Sequence, residues 1–417
     1  MKSKNRYFAA VLALVLSVLA CNFPTILPAS EPILTTEEPP IRQDMPAGGI
    51  VNAIPLPGDR EVITSPALFF IDFQDERNGW GTAERDGIFL LRTQDGGSTW
   101  VNVTPPDLTE ATYAPRLFIL DVNTAWALFS NDDFSTGTLY RTFDGGATWS
   151  SNPVPFSGGD LQFLDASTGR MMAGRGVGAG SSAVEFYQTD DGGVTWTSVY
   201  HNDPSQPGSS DSLPLGGMKS GATFLDADTG WVTGSRPMEG DIHLFITRDG
   251  GATWNPQPIS FPAELAECQF NTYPPIFFGQ DGFLPIQVNC YSGLVEQIFY
   301  VTHNGGVTWT ADPTGAGQVV PTAGQYVFVD ASIGFSWNGG PNIFITTDGA
   351  QSWSSRTTDL DMSNSMSMID FIDSNPFPDA TEADKTKNIN RIKGEALFLR
   401  ALAYYHLLIW YAPAFDK

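Results

Sequence analysis

The pattern of apolar and polar positions divides the chain into four regions. The first is a continuous apolar run from Tyr7 to Leu19, and the second, residues 22–49, is rich in Pro, Thr, Ser and Glu and lacks apolar periodicity. The third and longest, about residues 66–355, consists of short apolar and aromatic runs broken by Gly-rich turns. In the fourth, apolar residues recur at steps of three and four between Ile389 and Leu407, which predicts a helix with one apolar face.

One eight-residue motif recurs six times in the third region, in the form Thr-x-Asp-Gly-Gly-x-Thr-Trp with small variations. Its third and eighth positions are, in chain order, Asp95 and Trp100, Asp144 and Trp149, Asp191 and Trp196, Asp249 and Trp254, Asn304 and Trp309, and Asp348 and Trp353. The intervals between the third positions are 49, 47, 58, 55 and 44 residues. A structural unit of about fifty residues is therefore repeated.

A second, more degenerate motif precedes each copy: an aromatic residue, often an Asp two residues later, and then a Gly-aromatic pair. Examples are Phe73 with Asp75 and Gly79-Trp80, Phe118 with Asp121 and Trp126, Phe163 with Asp165 and Gly169, Phe224 with Asp226 and Gly230-Trp231, Phe278 with Asp281 and Gly282-Phe283, and Phe328 with Asp330 and Gly334-Phe335. Together the motifs predict strand, turn, strand, strand, turn, strand in each unit. Four short antiparallel strands per unit predict an all-β propeller with six detectable four-stranded blades, over residues 50–356.

The chemistry of the first motif favours a structural role. An Asp or Asn that opens a turn accepts hydrogen bonds from backbone N–H groups two residues ahead. The Gly-Gly pair supplies positive φ, and the Trp covers the seam between neighbouring sheets. Nothing in the motif combines a nucleophile, a base and an oxyanion donor, so these positions are predicted to hold the fold together rather than to catalyse.

These six motifs resemble Asp-box, or BNR, repeats, and their pairing with the second motif resembles the photosystem II stability and assembly factor type of propeller. That resemblance implies a non-enzymatic binding protein whose Asp boxes lie at the blade rim. Asp boxes also occur in sialidases, xyloglucan hydrolases and sortilin-type receptors, so the resemblance is specific for the fold and weak for the function.

A sialidase is the sharpest enzyme alternative, and it would need three Arg around a carboxylate, a Tyr-Glu nucleophile pair and an Asp acid. Glu185 with Tyr187 is a possible nucleophile pair, although an alternating strand explains it as well. Arg92, Arg141 and Arg248 belong to Asp-box hairpins and are expected at the rim; the possible inner positions are Arg85, Arg116, Arg170 and Arg175. Another glycoside hydrolase would need two facing carboxylates.

The first 21 residues have the features of an export signal, with Lys2, Lys4 and Arg6 before the apolar run. The segment ends in Leu19-Ala20-Cys21, which resembles a bacterial lipobox and implies lipidation of Cys21. Residues 22–49 are then expected to form a semi-extended tether. The predicted location is extracytoplasmic, anchored to the cell membrane by lipid.

Composition limits the possible ligands. With Cys21 lipidated, Cys268 and Cys290 remain in one repeat, and an intra-blade disulfide is favoured over two free thiols because exported proteins keep disulfides. The chain has 4 His and a formal net charge of −24. We therefore expect no metal, no cofactor and no nucleic acid.

The end of the chain differs from the repeats. Residues 357–379 are expected to be a linker, and residues 380–417 contain Gly394-Glu395-Ala396-Leu397-Phe398-Leu399-Arg400-Ala401, which resembles the helical core of SusD/RagB nutrient-binding lipoproteins. This fragment could come from a fusion or misassembly, act as a docking helix, or be a truncated module; the first is favoured. If it is genuine, it implies an outer-membrane location. We expect that deleting everything after Thr358 leaves the propeller's stability nearly unchanged.

The sequence thus predicts a non-catalytic extracytoplasmic lipoprotein that binds a protein or glycan partner through a propeller face, in the manner of an assembly or stability factor. The alternatives are a glycoside hydrolase that uses the central funnel and a SusD-like nutrient-binding component.

Overall fold

A computed structural model of the chain describes residues 52–357, apart from 64, 65, 67, 76, 85, 86, 109–113, 294, 312–319, 322–324, 329 and 338–341. The predicted signal, Cys21, the tether, most of the linker and the helical tail lie outside these residues. Within the described part, no helix has the length and apolarity needed to cross a membrane.

The fold is a β-propeller, as the repeats predict. In blades 1 to 3 the strands are β1 (Val62–Ile63), β2 (Leu68–Phe73), β3 (Gly79–Glu84), β4 (Ile88–Thr93), β5 (Trp100–Asn102), β6 (Arg116–Ile119), β7 (Ala125–Ser130), β8 (Gly137–Thr142), β9 (Ser150–Val154), β10 (Gly159–Phe163), β11 (Gly169–Gly178), β12 (Ser181–Thr189) and β13 (Thr197–His201). Blade 1 comprises β1–β5, blade 2 β6–β9 and blade 3 β10–β13. In blade 1, the short β1 pairs with the outermost strand β5.

Blades 4 to 6 follow the same plan with additions. Their strands are β14 (Met218–Phe224), β15 (Gly230–Ser235), β16 (Leu244–Thr247), β17 (Asn255–Pro256), β18 (Cys268–Thr272), β19 (Ile276–Phe278), β20 (Asp281–Cys290), β21 (Val295–Thr302), β22 (Val320–Pro321), β23 (Gln325–Phe328), β24 (Gly334–Trp337), β25 (Asn342–Thr346) and β26 (Ser354–Thr357), with one 3₁₀ turn at Ala263–Leu265. Blade 4 is β14–β17, blade 5 β18–β22 and blade 6 β23–β26. One pairing, Ser235 with Asn271, joins blades 4 and 5 into a nine-stranded sheet.

The hairpin order gives each blade two different ends. All pairings between neighbouring strands of a blade are antiparallel. The turn between the first and second strands and the turn between the third and fourth strands, which carries the Asp-box-like motif (the box, for short), therefore lie at the same end. We call this end the Asp-box face. The opposite end, which carries the turns between second and third strands and the connections between blades, is the loop face.

The core lies between the blades. Successive strand residues point to opposite faces of a sheet, so aromatic side chains of one blade meet those of the next. At the seam between blades 2 and 3, Trp126 stacks on Phe163 with ring centroids 3.7 Å apart, and Phe156 meets Trp196 edge-on. Similar clusters fill the seams between blades 1 and 2, 3 and 4, 4 and 5, and 5 and 6. Burial of these rings is the main stabilising contribution to the fold.

The glycine of the second motif has a packing reason. In blade 3, Phe163 packs directly over Gly169, where an added Cβ would lie 2.6 Å from the ring. In blade 4, Phe224 covers Gly230 in the same way, at 2.5 Å. A side chain at either position would displace the ring that fills the seam. The spacing of six residues between the aromatic residue and the glycine is therefore required by the packing of the ring over the glycine.

Candidate functional site

The Asp boxes form the same hydrogen-bonded turn six times. In blade 2, Asp144 accepts hydrogen bonds from the Thr148 N–H at 2.8 Å, from the Thr148 hydroxyl at 2.6 Å and from the Thr142 hydroxyl at 2.9 Å. The Thr142 hydroxyl oxygen in turn accepts from the Gly146 N–H. In blade 5, Asn304 reproduces this turn, with its amide donating to Thr308.

This geometry corrects the expected range of the Asp side chain. The carboxylate reaches the N–H four residues ahead, rather than two, because it closes the whole Gly-Gly loop. The two-residue reach belongs to the second motif: Asp165 accepts from the N–H groups of Ser167 and Thr168, both at 2.7 Å. The Asp of the second motif is thus an Asx-turn residue.

The two motifs are joined to each other on the Asp-box face. In blade 3, the N–H of Gly192 donates to the carbonyl of Ser167 at 2.7 Å. The equivalent bonds in the other blades join Gly96 to Arg77, Gly145 to Asn123, Gly250 to Asp228, Gly305 to Gln280 and Gly349 to Ser332. One backbone bond therefore ties both turns of each blade together, which explains why the motifs keep their phase.

The electrostatics of the boxes oppose a proton-transfer role. Burial by itself would raise the pKa of Asp191, but the hydrogen bonds from Thr195, Thr189 and Val194 outweigh burial and hold the pKa at about 2. The same balance lowers the pKa of the carboxyls of Asp144, Asp249 and Asp348. These carboxylates are charged acceptors that are bonded within their own turns.

The Trp that ends each box packs on ring side chains that precede it in the chain. Trp149 meets Trp80, Trp254 meets Phe186, and Trp353 meets Phe299. The indole N–H of Trp149 donates to the carbonyl of Val103 at 2.6 Å. Five of these Trp side chains, those of blades 2 to 6, are therefore part of the seam with the preceding blade, and Trp100 meets Phe73 within blade 1.

Arginines near the boxes also bridge blades. Arg92, at the end of β4 beside the first box, is 0% exposed, and it donates to the carbonyl of Gly145 in the box of the next blade at 3.1 Å. Burial lowers its pKa to about 10. Arg141 donates to Gly192 of blade 3, and Arg170 donates to Ala227 of blade 4. A charged donor that meets a buried carbonyl is a strong hydrogen bond, so these arginines stabilise the seams.

The Tyr-Glu pair meets one arginine in the described part of the chain, rather than three. Arg175 pairs with Glu185 at 2.8 Å and also donates to the hydroxyl of Tyr187 and the carbonyl of Pro155. Ser198 donates to the second carboxylate oxygen at 2.6 Å. Burial would raise the pKa of Glu185, but the hydrogen bonds from Ser198, Tyr187 and Arg175 lower it. The cluster lies at the seam between blades 2 and 3; Arg85 lies outside the described residues.

Cys268 and Cys290 lie opposite each other where β18 pairs with the C-terminal half of β20, and their sulfur atoms are bonded. This bond holds the part of blade 5 that extends towards the loop face. No group of three His, Cys, Asp or Glu side chains among the described residues is placed to hold a metal ion.

The loop face carries the segments that do not repeat. Segments 202–217 and 236–243 connect the strands of blades 3 and 4 at this face. In blade 5, the hairpin of the long strands β20 and β21 extends past the ends of the other strands of the blade. Large apolar side chains are exposed on these segments and on the neighbouring strand ends: Val177, Leu215, Met218, Met238 and Tyr291. On the Asp-box face, Phe143, Val194 and Val307 are also exposed, but less than Val177 and Tyr291. At the opposite face, residues 52–57 run across blades 1 and 2, where Asn123 bonds to the backbone of Asn52 and Ile54.

A pocket of about 520 Å³ opens at the loop-face end of blade 4. Its walls include Leu244 and Phe245, which are buried, and the ion pair between Arg236 and Asp241 at 3.6 Å. His243, 1% exposed, also lines it. The sequence patterns did not indicate these residues as a site. The signal that could have found them is the interval of 58 residues between the third and fourth boxes, the longest of the five.

Comparison with known proteins finds similar solved structures only. No protein-family profile and no curated protein sequence matches the chain. A structure titled "YCF48 bound to D1 peptide" is 18% identical, with a TM-score of 0.44, over 75% of this chain and 88% of that one. An oligogalacturonate lyase from Vibrio parahaemolyticus is 11% identical, with a TM-score of 0.47, over 72% and 79%. A GH74 xyloglucanase from Xanthomonas campestris is 12% identical, with a TM-score of 0.46, over 72% of this chain and 47% of that one. Identities this low leave the function to be argued from this chain's own residues.

Proposed function

We propose that this chain is a non-catalytic binding protein, lipid-anchored through Cys21 at the extracytoplasmic face of a membrane, that holds a protein partner on its loop face. The observation that carries the proposal is the division between the two faces. On the Asp-box face, the Asp or Asn side chain and the glycine N–H of every repeated motif are bonded within the fold. The loop face has irregular segments and exposed apolar side chains, with Val177 75% and Tyr291 81% exposed.

The exposed side chains favour a polypeptide over a glycan. Met, Tyr and Arg are enriched at protein interfaces, and the loop face presents Met218, Met238, Tyr291 and Arg236. Aliphatic side chains such as Val177 match an apolar protein surface, because their burial releases water without requiring hydrogen bonds. Glycan binding is then the alternative outcome of the test.

The rival function is glycoside hydrolysis, and one carboxyl favours it. Asp160 lies on the innermost strand of blade 3, where solvent reaches its side chain but the surrounding protein still limits hydration of the carboxyl. This desolvation raises its pKa, against the lowering effects of the Ala222 N–H and of Arg116. A carboxyl with a raised pKa is suited to general acid catalysis. Turnover of a panel of chromogenic sialosides and glucans by the full chain, abolished in Asp160→Asn, would replace the binding proposal with this one.

The binding proposal is tested with two valines of blade 3 on opposite faces. The full-length protein is expressed in its host cells in three forms, wild-type, Val177→Glu and Val194→Glu. Each form is photo-crosslinked to the proteins that contact it at the membrane. We expect a specific adduct with one membrane or exported protein that is lost in Val177→Glu and kept in Val194→Glu, because only Val177 lies on the loop face. Equal adducts from all three forms, or a glycan in place of a protein, would contradict the proposal.

Membrane attachment has its own test. Cys21→Ala removes the predicted lipidation site, so the variant should leave the membrane fraction and appear in soluble form. A Cys21→Ala variant that still partitions with membranes would show that the anchor lies elsewhere, including in the SusD-like tail.

A further inference from the structure

The pocket at the loop-face end of blade 4 combines an apolar interior with a charged entrance. Leu244 and Phe245 are 1% and 6% exposed, while the side chains of Arg236 and Asp241 at the entrance retain 29% and 32%. A volume of about 520 Å³ lies within the range of small-molecule sites. This arrangement suits an amphiphilic small molecule whose apolar part enters and whose charged part stays at the entrance.

Two polar side chains of the pocket, Asp241 and His243, have buried atoms without a hydrogen-bond partner within the described part of the chain. One carboxylate oxygen of Asp241 is buried and has no hydrogen bond there, since its ion pair with Arg236 is long, at 3.6 Å. Neither ring nitrogen of His243 has a hydrogen-bond partner among the described residues. Burial, with Lys219 and Arg236 nearby, lowers the pKa of His243 to about 3, so the ring is neutral and offers one donor and one acceptor.

Such groups are costly to bury without partners, and a bound ligand can supply them. A neighbouring carboxylate and guanidinium are complementary to a ligand that carries an ammonium and a carboxylate on adjacent atoms. Asp211, which also lines the pocket, adds a second acceptor for the ammonium. The apolar interior selects the side chain of that ligand.

We propose that this pocket binds a free α-amino acid with an apolar side chain, with its carboxylate at Arg236 and its ammonium at Asp241. The side chain lies against Leu244, Phe245 and Ile259. The pocket opens on the loop face and shares Arg236 with the surface proposed for the protein partner. Neither proposal depends on the other, because the amino acid is titrated against the protein alone.

Isothermal titration of the full-length protein with L-leucine and L-phenylalanine tests the proposal. We expect saturable one-to-one binding with a Kd below about 1 mM. L-Serine, which lacks the apolar side chain, and N-acetyl-L-leucinamide, which lacks both charges, should each bind at least about tenfold more weakly. Absence of saturable binding, or equal affinity for the blocked amide, would overturn the assignment.

Two variants, Arg236→Met and Ile259→Trp, localise the site, and Arg248→Met and Val177→Glu are their controls. Arg236→Met should weaken leucine binding about tenfold or more, because it removes the partner of the carboxylate. Arg248→Met makes the same change in the Asp-box turn of the same blade and should have no effect. Ile259→Trp should block binding by filling the pocket without changing any charge. Val177→Glu, which tests the partner surface, should leave leucine affinity unchanged; wild-type affinity in a folded Arg236→Met variant would refute the assignment.

Discussion

The two faces of this propeller are built from the same strands but follow different rules. On the Asp-box face, one set of bonds is repeated in every blade: Asp to the N–H four residues ahead, and glycine N–H to the Asx turn. On the loop face, the blade 3 hairpin ends at Gly178 and Ser181, while the blade 4 connection runs from 236 to 243. The first face is uniform because each turn must fit its own blade and the next one; the second face has no such constraint.

The difference shows where a repeat protein can vary. Residues at a turn that also contact a neighbouring blade, such as Trp149 with blade 1 and Arg92 with blade 2, are constrained from both sides. Loops that connect strand ends over solvent meet fewer constraints and can acquire pockets and exposed apolar side chains. Changes on the Asp-box face should therefore act on stability, and changes on the loop face on binding.

The largest effect is expected at a seam near the Asp-box face. Trp126 is 0% exposed, stacks on Phe163 and donates to the carbonyl of Gly192 at 2.9 Å. Trp126→Ala should cost about 4 kcal/mol in the free energy of unfolding, measured in urea. Tyr291→Ala on the loop face should change it by less than about 0.5 kcal/mol. Similar losses in both variants would remove the distinction between the faces.

The second prediction concerns the Cys268–Cys290 disulfide on the loop-face side of blade 5. It is expected to stabilise this side, which lacks the repeated hydrogen bonds of the Asp-box face. Replacing both cysteines, in a Cys268→Ser/Cys290→Ser variant, should cost about 3 kcal/mol, because the unfolded chain gains freedom. Urea unfolding of wild type and variant, with reduced wild type as control, measures this. Two free thiols found by mass spectrometry of the exported wild type would show that the disulfide does not form.

The third prediction compares two aspartates of blade 2 on opposite faces. Asp144 accepts three hydrogen bonds in its box, so Asp144→Ala should cost about 2 kcal/mol. Asp133, in the exposed turn of the loop face, accepts from the N–H and the hydroxyl of Ser135, and because this turn contacts no neighbouring box among the described residues, Asp133→Ala should cost clearly less. Thermal unfolding at neutral pH compares them; an equal or reversed order would show that the box bonds do not dominate.

The smallest effect is a dependence on acid. The pKa of the box carboxyls of Asp144, Asp191, Asp249 and Asp348 is lowered in the folded state. Their contribution is therefore complete above the unfolded pKa of about 3.9 and is lost as the pH falls towards about 2. Asp191→Asn should flatten the fall in melting temperature between about pH 5 and pH 2. Asn304 shows that an amide supports the same turn, so an unchanged slope would contradict the assignment.

The local patterns predicted the fold well, because each is read within one blade. The spacing of box and second motif predicted four strands per unit, and the structure has them, with β1 and β18 added. The burial of Arg92 could not be predicted from the pattern of one blade, because Arg92 is covered by the next blade, where it bonds to Gly145, 53 residues later. The reach of the Asp side chain was also misjudged, since the Gly-Gly turn that it closes is a three-dimensional feature.

The sequence by itself determined the all-β repeat, its period and the residues that close each turn, because hydrogen bonds over two to four residues are encoded locally. Only the tertiary structure decided which end of each blade is uniform and which is free. It also decided that Glu185 and Tyr187 belong to a seam, and that Arg236, Asp241 and His243 meet at one pocket. Those three residues come from one irregular loop, and the side chains that surround them come from other segments. No period in the chain could place them together, because a site of that kind is made by packing rather than by repetition.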